Sequence, residues 1–384
     1  MSIQSKFIRN LHAAGTRIVL AVTGGGSGAI SALLEVPGAS RTVLEAVVPY
    51  SAQALTDWLG AKPEQFSSAR TARSMAMAGY QRALRYARLE QQPGPVAGLA
   101  CTASLASDRT KRGPHRIHAA WQTAAVTAEW SLELVKGHRA RAEEERIAAA
   151  AVLNMAAQAC GLDEQLKLAL LDEERPACAS VSAPTAWQEL LAGELDAAAA
   201  RTDMASAGFH IRAGSRRAIL PGAFDPLHEG HREMASLAAK RLGLLVEYEI
   251  SILNVDKPPL DFIEMDRRAG QFAKRETLWF TRAATFVEKA ALFQPATFVV
   301  GADTIARIAD PKYYGGDRRT CEQAIERIAA TGGRFLVFGR SVDGAFQSLS
   351  SLDLPPPLAA LCQEVPAEQF RRDISSTQLR HAGE

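Results

Sequence analysis

Residues 216–384 repeat one pattern: a short apolar run, rich in β-branched or aromatic side chains, followed by a stretch with helix-forming residues. Arg216–Leu220 runs into Pro221-Gly222, and Leu244–Leu253 is a second run. Thr297–Val300 stops at Gly301, and Phe335–Phe338 stops at Gly339. Such runs read as buried strands. Strands that alternate with helices build a parallel sheet covered on both faces. The expected class is therefore α/β, doubly wound. Ligands of such sheets bind beyond the carboxyl ends of the strands, so the residues that follow each run are the first functional candidates.

The first part of the chain uses similar units. Ile18–Val22 is a short buried strand that runs into Thr23 and three glycines, and Val96–Cys101 reads the same way. Arg116–Gln122 and Ala128–Val135 read as paired strands, because Trp130, Leu132 and Leu134 alternate with polar neighbours. Arg139–Ala159 is an alanine-rich helix stopped by Gly161. Residues 162–215 read as a helical connector. It has acidic helical pieces at Leu162–Glu174 and Trp187–Ala200, on either side of a Ser-, Ala- and Pro-rich stretch, Pro176–Pro184. Two domains are expected, over 1–161 and 216–384, with 162–215 between them. A chain of 384 residues has room for both, at roughly 150 residues per domain.

Composition excludes several classes. With 47% apolar and 22% charged residues, the chain is globular rather than disordered. Lys plus Arg is 44 against 42 for Asp plus Glu, and no polybasic block occurs, so a nucleic-acid partner is not expected. No apolar run approaches the ~20 residues of a membrane span, and no signal-peptide core is present. Cys101, Cys160, Cys178, Cys321 and Cys362 are scattered, which argues against structural zinc or a disulfide framework. The expectation is a cytoplasmic protein with reduced thiols and small-molecule partners.

The most informative segment is Pro221-Gly222-Ala223-Phe224-Asp225-Pro226-Leu227-His228-Glu229-Gly230-His231. It follows an expected strand and opens an expected helix. His228 and His231 are three apart and share a helix face. In the first turn, free N–H groups and the helix dipole favour an anion. Gly230 lets a ligand approach the backbone. A bare H-x-G-H would more often be a solvent-facing pair or a metal half-site, and the eleven-residue context outweighs that reading. Near the other end, Asp373-Ile374-Ser375-Ser376-Thr377-Gln378-Leu379-Arg380 places a serine N-cap at a second helix start, with Arg380 one turn on.

These segments resemble the signatures of the nucleotidylyltransferase superfamily, G-x-F-D-P-x-H-x-G-H and I-S-S-T-x-x-R, and both are complete. The resemblance implies a Rossmann-like domain that joins a nucleoside triphosphate to a phosphate-bearing acceptor and releases pyrophosphate. It assigns phosphate binding and transition-state charge to His228 and His231, and the departing phosphates to Ser375, Ser376, Thr377 and Arg380. Gly222, Phe224, Asp225 and Gly230 belong to the nucleotide-binding turn, and Mg²⁺ would be bound through the nucleotide phosphates. Asp225 also has an ordinary role in capping its turn, and Glu229 reads as a surface residue. Val300-Gly301-Ala302-Asp303-Thr304 is similar to the G-x-D stretch of the pyridine-nucleotide branch, where Asp303 would meet the ATP ribose beside Gly301. Asn254–Leu260, with Asp266-Arg267-Arg268, resembles that branch's acceptor side, which implies acceptor contacts for Lys257, Arg267 and Arg268. The implied reaction adenylylates nicotinamide or nicotinate mononucleotide, a step of NAD biosynthesis. A cytidylyltransferase, another acceptor, or a nucleotide-binding regulatory protein without turnover remain alternatives.

Thr23-Gly24-Gly25, Leu34–Ser40 and Val47-Val48-Pro49-Tyr50-Ser51 resemble the CinA C-terminal-type family, which includes nicotinamide-mononucleotide amidohydrolases. The family serine falls on Ala21 and the family lysine on Leu55, so the expectation is an α/β domain without catalysis. Ser27 lies past the glycine turn and is not expected to substitute. Two readings of Gly24–Gly28 stay open: N–H groups that bind a phosphate, or a plain strand-to-helix turn. The domain could also form a homo-oligomer. His115 and His118 read as surface or core residues, Trp121 and Trp130 as packing on the sheet, and the Arg139–Arg146 charges as a solvated helix face.

Overall fold

The computed structural model describes residues 3–109, 112–201, 214–254, 257–342 and 345–371. They fall into two compact units, Met1–Ala192 with Asn254–Asp266, and Gly193–Leu253 with Arg267–Glu384. Both are mixed α/β structures built on one main sheet. Among the described residues, no helix is long and apolar enough to cross a membrane.

The first unit contains α1 (Ile3–Ala13), β1 (Arg17–Thr23), α2 (Gly28–Glu35), β2 (Val43–Val47), α3 (Ala52–Leu59), α4 (Ala69–Leu89), β3 (Val96–Ser104), β4 (His115–Gln122), β5 (Val126–Leu134), α5 (Arg141–Ala159), β6 (Ala177–Ser182) and α6 (Thr185–Ala192). Its sheet order is β2-β1-β3-β4-β5-β6. β1 runs parallel to β2 and β3, and β4, β5 and β6 follow antiparallel. β1 is buried along nearly its whole length, as expected of a strand covered on both faces. Ile18, Leu20 and Val22 pack toward α1, α2 and α5. The alternate residue Ala21 packs on the opposite side, with Leu55 and Leu59 of α3 and Met75 of α4.

The connector departs from expectation. Leu162–Glu174 forms no helix. Leu166, Leu168 and Leu170 alternate onto the core, and the Asn154 amide receives Leu166 N–H and donates to Leu166 C=O at 2.7 and 2.9 Å. A side chain thus takes backbone bonds that a helix would otherwise supply. The Pro176–Pro184 stretch holds β6, and the expected second helix shortens to α6.

The second unit contains β7 (Ala197–Ala199), β8 (Arg217–Pro221), α7 (Glu229–Leu242), β9 (Val246–Ser251), the end of α8 (Phe262–Ala269), β10 (Leu278–Thr281), α9 (Phe286–Leu292), β11 (Ala296–Gly301), α10 (Ala302–Ala309), α11 (Arg318–Ala330), β12 (Arg334–Phe338), β13 (Arg340–Val342), β14 (Ala345–Gln347), α12 (Pro356–Ala359) and β15 (Cys362–Val365). The sheet order is β15-β12-β11-β8-β9-β10-β7, with only β7 antiparallel to its neighbour. Its six parallel strands follow the doubly wound order 3-2-1-4-5-6, read from the other edge. The chain reverses direction across the sheet between β8 and β11, which places the ligand crevice at their carboxyl ends. Beneath that edge, Lys289 donates to both oxygens of the buried Glu249 carboxylate at 2.6 and 2.7 Å, and to Ala283 C=O at 2.8 Å.

One backbone contact in the first unit leaves no space. A Cβ on Gly98 of β3 would stand 2.0 Å from Ala76 C=O and 2.2 Å from Tyr80 N of α4. Gly98→Ala is therefore expected to push α4 off the sheet, at a cost of about 3 kcal/mol. Gly113→Ala, with nothing near the added carbon, should change stability by less than ~0.5 kcal/mol. Chemical denaturation of both variants checks this, and equal effects would contradict it.

Candidate active site

The site starts from the turn after β8. Gly222 N–H donates to Glu249 C=O of β9 at 3.0 Å. Phe224 then takes a left-handed backbone, φ 47°, a costly conformation for a bulky residue that its surroundings must enforce. Its buried ring meets His231, Tyr248 and Phe272 edge-on, with centroids 5.0, 5.5 and 5.4 Å away. A Cβ on Gly222 would lie 2.8 Å from the Phe224 ring, so glycine is required there. Asp225 is buried and accepts from the Arg267 guanidinium. Arg268 lies 3.6 Å from the same carboxylate and donates to Ala223 C=O at 2.9 Å. Gln271 closes the clamp, donating to Phe224 C=O at 2.9 Å and accepting from Leu227 N–H at 2.8 Å.

His228 caps α7 and His231 sits in its first turn. The rings stack, with centroids 3.7 Å apart. His228 N–H donates to His231 Nδ1 at 3.3 Å, so in the neutral ring the proton sits on Nε2. Burial, then His228, then Arg340 push the His231 pKa down to about 3. Burial and Arg340 also lower His228. Both imidazoles are therefore neutral at pH 7. They offer hydrogen bonds rather than charge, beside a helix start that already attracts anions. A Cβ on Gly230 would lie 3.1 Å from His228 Nδ1. That nitrogen is buried and has no hydrogen-bond partner among the described residues. Glu229 is exposed, as expected.

Across the switch point, Gly301 ends β11 and caps α10. A Cβ there would lie 2.6 Å from Asp303 Oδ1, so glycine makes room for the carboxylate. Asp303 Oδ1 is buried with no hydrogen-bond partner among the described residues, and Oδ2 lies 3.5 Å from Arg340 Nη1. Arg340 was missed in the sequence. It directly follows Gly339 at the carboxyl end of β12, the position class that the fold marks for ligands. Its charge acts on both histidines as well as on Asp303.

The structure thus gathers Gly222, Phe224, Asp225, His228, Gly230 and His231 on one turn, and Gly301 and Asp303 at the neighbouring strand end. Arg267 and Arg268, expected on the acceptor, are engaged with that turn. Lys257 is exposed. Ser375, Ser376, Thr377 and Arg380 lie outside the described residues, as do Val255 and Asp256.

In the first unit, Ala21 and Leu55 are almost wholly buried and share one apolar cluster. Neither position carries a nucleophile or base. The glycine turn is also occupied: Glu145 of α5 accepts from Gly26 N–H, Gly28 N–H and Ser27 Oγ at 2.9, 3.1 and 3.0 Å. A carboxylate of the chain itself sits where a phosphate would need those donors. Of the Arg139–Arg146 charges, Arg141, Glu143 and Arg146 are exposed, as a solvated face requires, and the others are engaged by the chain. Arg139 grips Glu174 through two bonds of 2.6 and 2.7 Å, and Arg141 donates to Gly24 C=O at 3.1 Å. Glu144 is fully buried against His115. Spacing along a helix shows only which charges share a face, while the loops that cover the face come from distant sequence.

Residues 219–382 match the model of a family described as cytidylyltransferase-like. Comparison with curated proteins gives no match. Among solved structures, the chain is similar to a competence/damage-inducible protein, CihA, from Agrobacterium tumefaciens: 21% identity over 41% of this chain and 99% of that one, TM-score 0.34. It is also similar to a competence or damage-inducible protein from Enterobacter asburiae, with 16% identity, 42% and 98% coverage and TM-score 0.32. A CinA superfamily protein from Escherichia coli matches at 15% identity, 41% and 85% coverage and TM-score 0.28. The C-terminal region of this chain thus matches a cytidylyltransferase-like family model, and part of the chain is similar to solved CinA proteins.

Proposed function

We propose that the second unit transfers the AMP part of ATP to the phosphate of nicotinamide or nicotinate mononucleotide and releases pyrophosphate. The observation that carries a phosphoryl-transfer reading is the pair of stacked, neutral histidines at the start of α7, with His231 Nδ1 occupied by a backbone N–H. In the reaction, an oxygen of the acceptor phosphate bonds to the α-phosphorus while the bond to pyrophosphate breaks. The leaving group carries away the electron pair. His231 donates from Nε2 to a phosphoryl oxygen whose charge grows in the transition state, and the fixed turn spares the reaction any reorganisation. Arg340 adds positive charge on the same side. Ser375, Ser376, Thr377 and Arg380 would steady the leaving phosphates. Mg²⁺, carried by the nucleotide's phosphates, would neutralise part of their charge.

The pyridine mononucleotide as acceptor rests on the resemblance of Val300–Thr304 and Asn254–Arg268 to that branch. A second reading, with CTP as donor, is favoured by the description of the matching family. Pyrophosphate release with Mg²⁺, crossing ATP and CTP with nicotinamide mononucleotide, nicotinate mononucleotide and phosphopantetheine, separates them. ATP with a pyridine mononucleotide is the expected pair. ATP binding without turnover in every combination would instead point to a nucleotide-binding regulator.

His231→Ala is expected to lower kcat on the order of 10²-fold with little change in melting temperature, and a parallel loss of folding would make the residue structural. The pH profile is a second check. The His231 pKa in the free protein is depressed, so the ring is already neutral above pH 6.5, and kcat/KM should show no His231 step between pH 6 and 8. The depressed value also means that stability is lost as pH falls from 6.5 toward 3, because only the unfolded chain takes up the proton there. His231→Gln should flatten that part of the stability curve.

The first unit is expected to release no ammonia from nicotinamide mononucleotide, and Ser27→Ala should leave every activity unchanged. A marked drop on Ser27→Ala would show chemistry that the apolar Ala21–Leu55 cluster gives no reason to expect.

A further inference from the structure

Glu249 and Lys289 are a buried pair of opposite charge in the second unit, with no part in the transfer steps described above. The Glu249 side chain is wholly shut off from solvent, and that of Lys289 nearly so. Each of the three ammonium protons has an acceptor: the two carboxylate oxygens and Ala283 C=O. Thr281 Oγ1 also donates to Glu249 Oε1, at 2.5 Å. One carboxylate on β9 is thus held by the end of β10 and by α9.

Their place gains its meaning from the way β8 is supported. The ladder between β8 and β11 runs from Arg217 to Ile219. The ladder between β8 and β9 continues to Pro221, opposite Glu249. Gly222 N–H then donates to Glu249 C=O at 3.0 Å. At the crevice the last bond of β8 therefore runs to β9, and Glu249 receives it where the turn to His228 and His231 begins. The preceding residue, Tyr248, faces the other side of the sheet and meets the Phe224 ring edge-on, with centroids 5.5 Å apart. Two successive residues of β9 thus hold the turn by its backbone and support the Phe224 ring.

Such a pair supplies position more than stability. A buried ion pair returns little over apolar side chains of similar volume. It does impose one register. A slip of β9 by one residue would turn the carboxylate to the opposite face, away from Lys289 and Thr281, and leave a buried charge unpaired. Apolar packing is non-directional and resists such a shift less.

We propose that Glu249 and Lys289 are positioning residues for the transfer assigned to the second unit: their ion pair fixes the carboxyl end of β9, and through it the Gly222–His231 turn. The effect on turnover rests on that assignment, and the effect on the turn does not.

The test replaces both charges together, in Glu249→Leu/Lys289→Met, because a single replacement would strand the other charge in the core. The full-length variant is compared with wild type in melting temperature, in kcat for pyrophosphate release, and in the imidazole nitrogen NMR signals of His231. The melting temperature should be unchanged or higher. In the folded variant kcat should fall on the order of 10²-fold, as for a displacement of about 1 Å at a reacting centre. His231 should change from the single Nε2–H form, set by the His228 N–H on Nδ1, to a mixture of both neutral tautomers. Thr281→Val removes one bond to the carboxylate and should move kcat and the tautomer in the same direction by less. A double variant with wild-type kcat and an unchanged His231 tautomer would overturn the proposal, as would a kcat loss that only follows the loss of folded protein. Should the double variant not fold, unchanged kcat and tautomer in Thr281→Val would overturn it. If wild type releases no pyrophosphate with any donor and acceptor named above, the reaction assigned to the turn fails, and the His231 tautomer alone decides for or against the positioning.

Discussion

The second unit depends on the burial of Asp225. A carboxylate removed from water needs charged partners, and Arg267 and Arg268 supply them while Arg268 also holds Ala223 C=O. The clamp fixes a left-handed Phe224, which turns its ring inward and aims the chain into α7. Without that turn, His228 and His231 would still share a helix face, but nothing would set the face beyond the end of β8. The ion pair thus serves position more than stability, in keeping with the small net return of most buried pairs.

Electrostatics at the crevice follow from that position. His231 is buried against Phe224 and a second imidazole, and Arg340 adds positive charge. All three effects disfavour the imidazolium, so the protein presents neutral donors where a phosphate is expected. Asp303 has one oxygen facing Arg340 and one without a partner, at the strand end where ribose hydroxyls would be sought. Gly301 and Gly230 each leave out a side chain whose first carbon would crowd a polar group. These glycines follow from packing at the site rather than from the backbone freedom that glycine also offers.

The first unit has a strand end that is filled by its own side chains. Ala21 and Leu55 belong to packed core, and Glu145 takes the donors of the glycine turn.

Periodicity and turn residues made the two sheets legible, because a short β-branched run closed by glycine has few other uses. β1, β3, β8, β11 and β12 stand within a residue or so of where the sequence places their ends, or continue slightly past them. The eleven residues from Pro221 to His231 marked a turn whose histidines sit at a helix start, as local spacing alone requires. The connector was not legible. Asn154 takes both backbone bonds of Leu166, and Leu168 and Leu170 follow it onto the core. Arg340 escaped for a similar reason: one arginine after a strand means little until β12 lies beside β11 and brings it to Asp303 and the histidines. Likewise, Arg267 and Arg268 carry an acceptor-binding pattern in sequence, and only the fold sets them against Asp225. The sequence by itself determined the α/β class, the placing of both histidines at a helix start and the absence of a nucleophile or base at Ala21 and Leu55, because each rests on local geometry or on which atoms are present. Tertiary structure alone decided the protonation of His231 and the roles of Arg340 and Glu145, because burial and pairing between distant segments have no local signature.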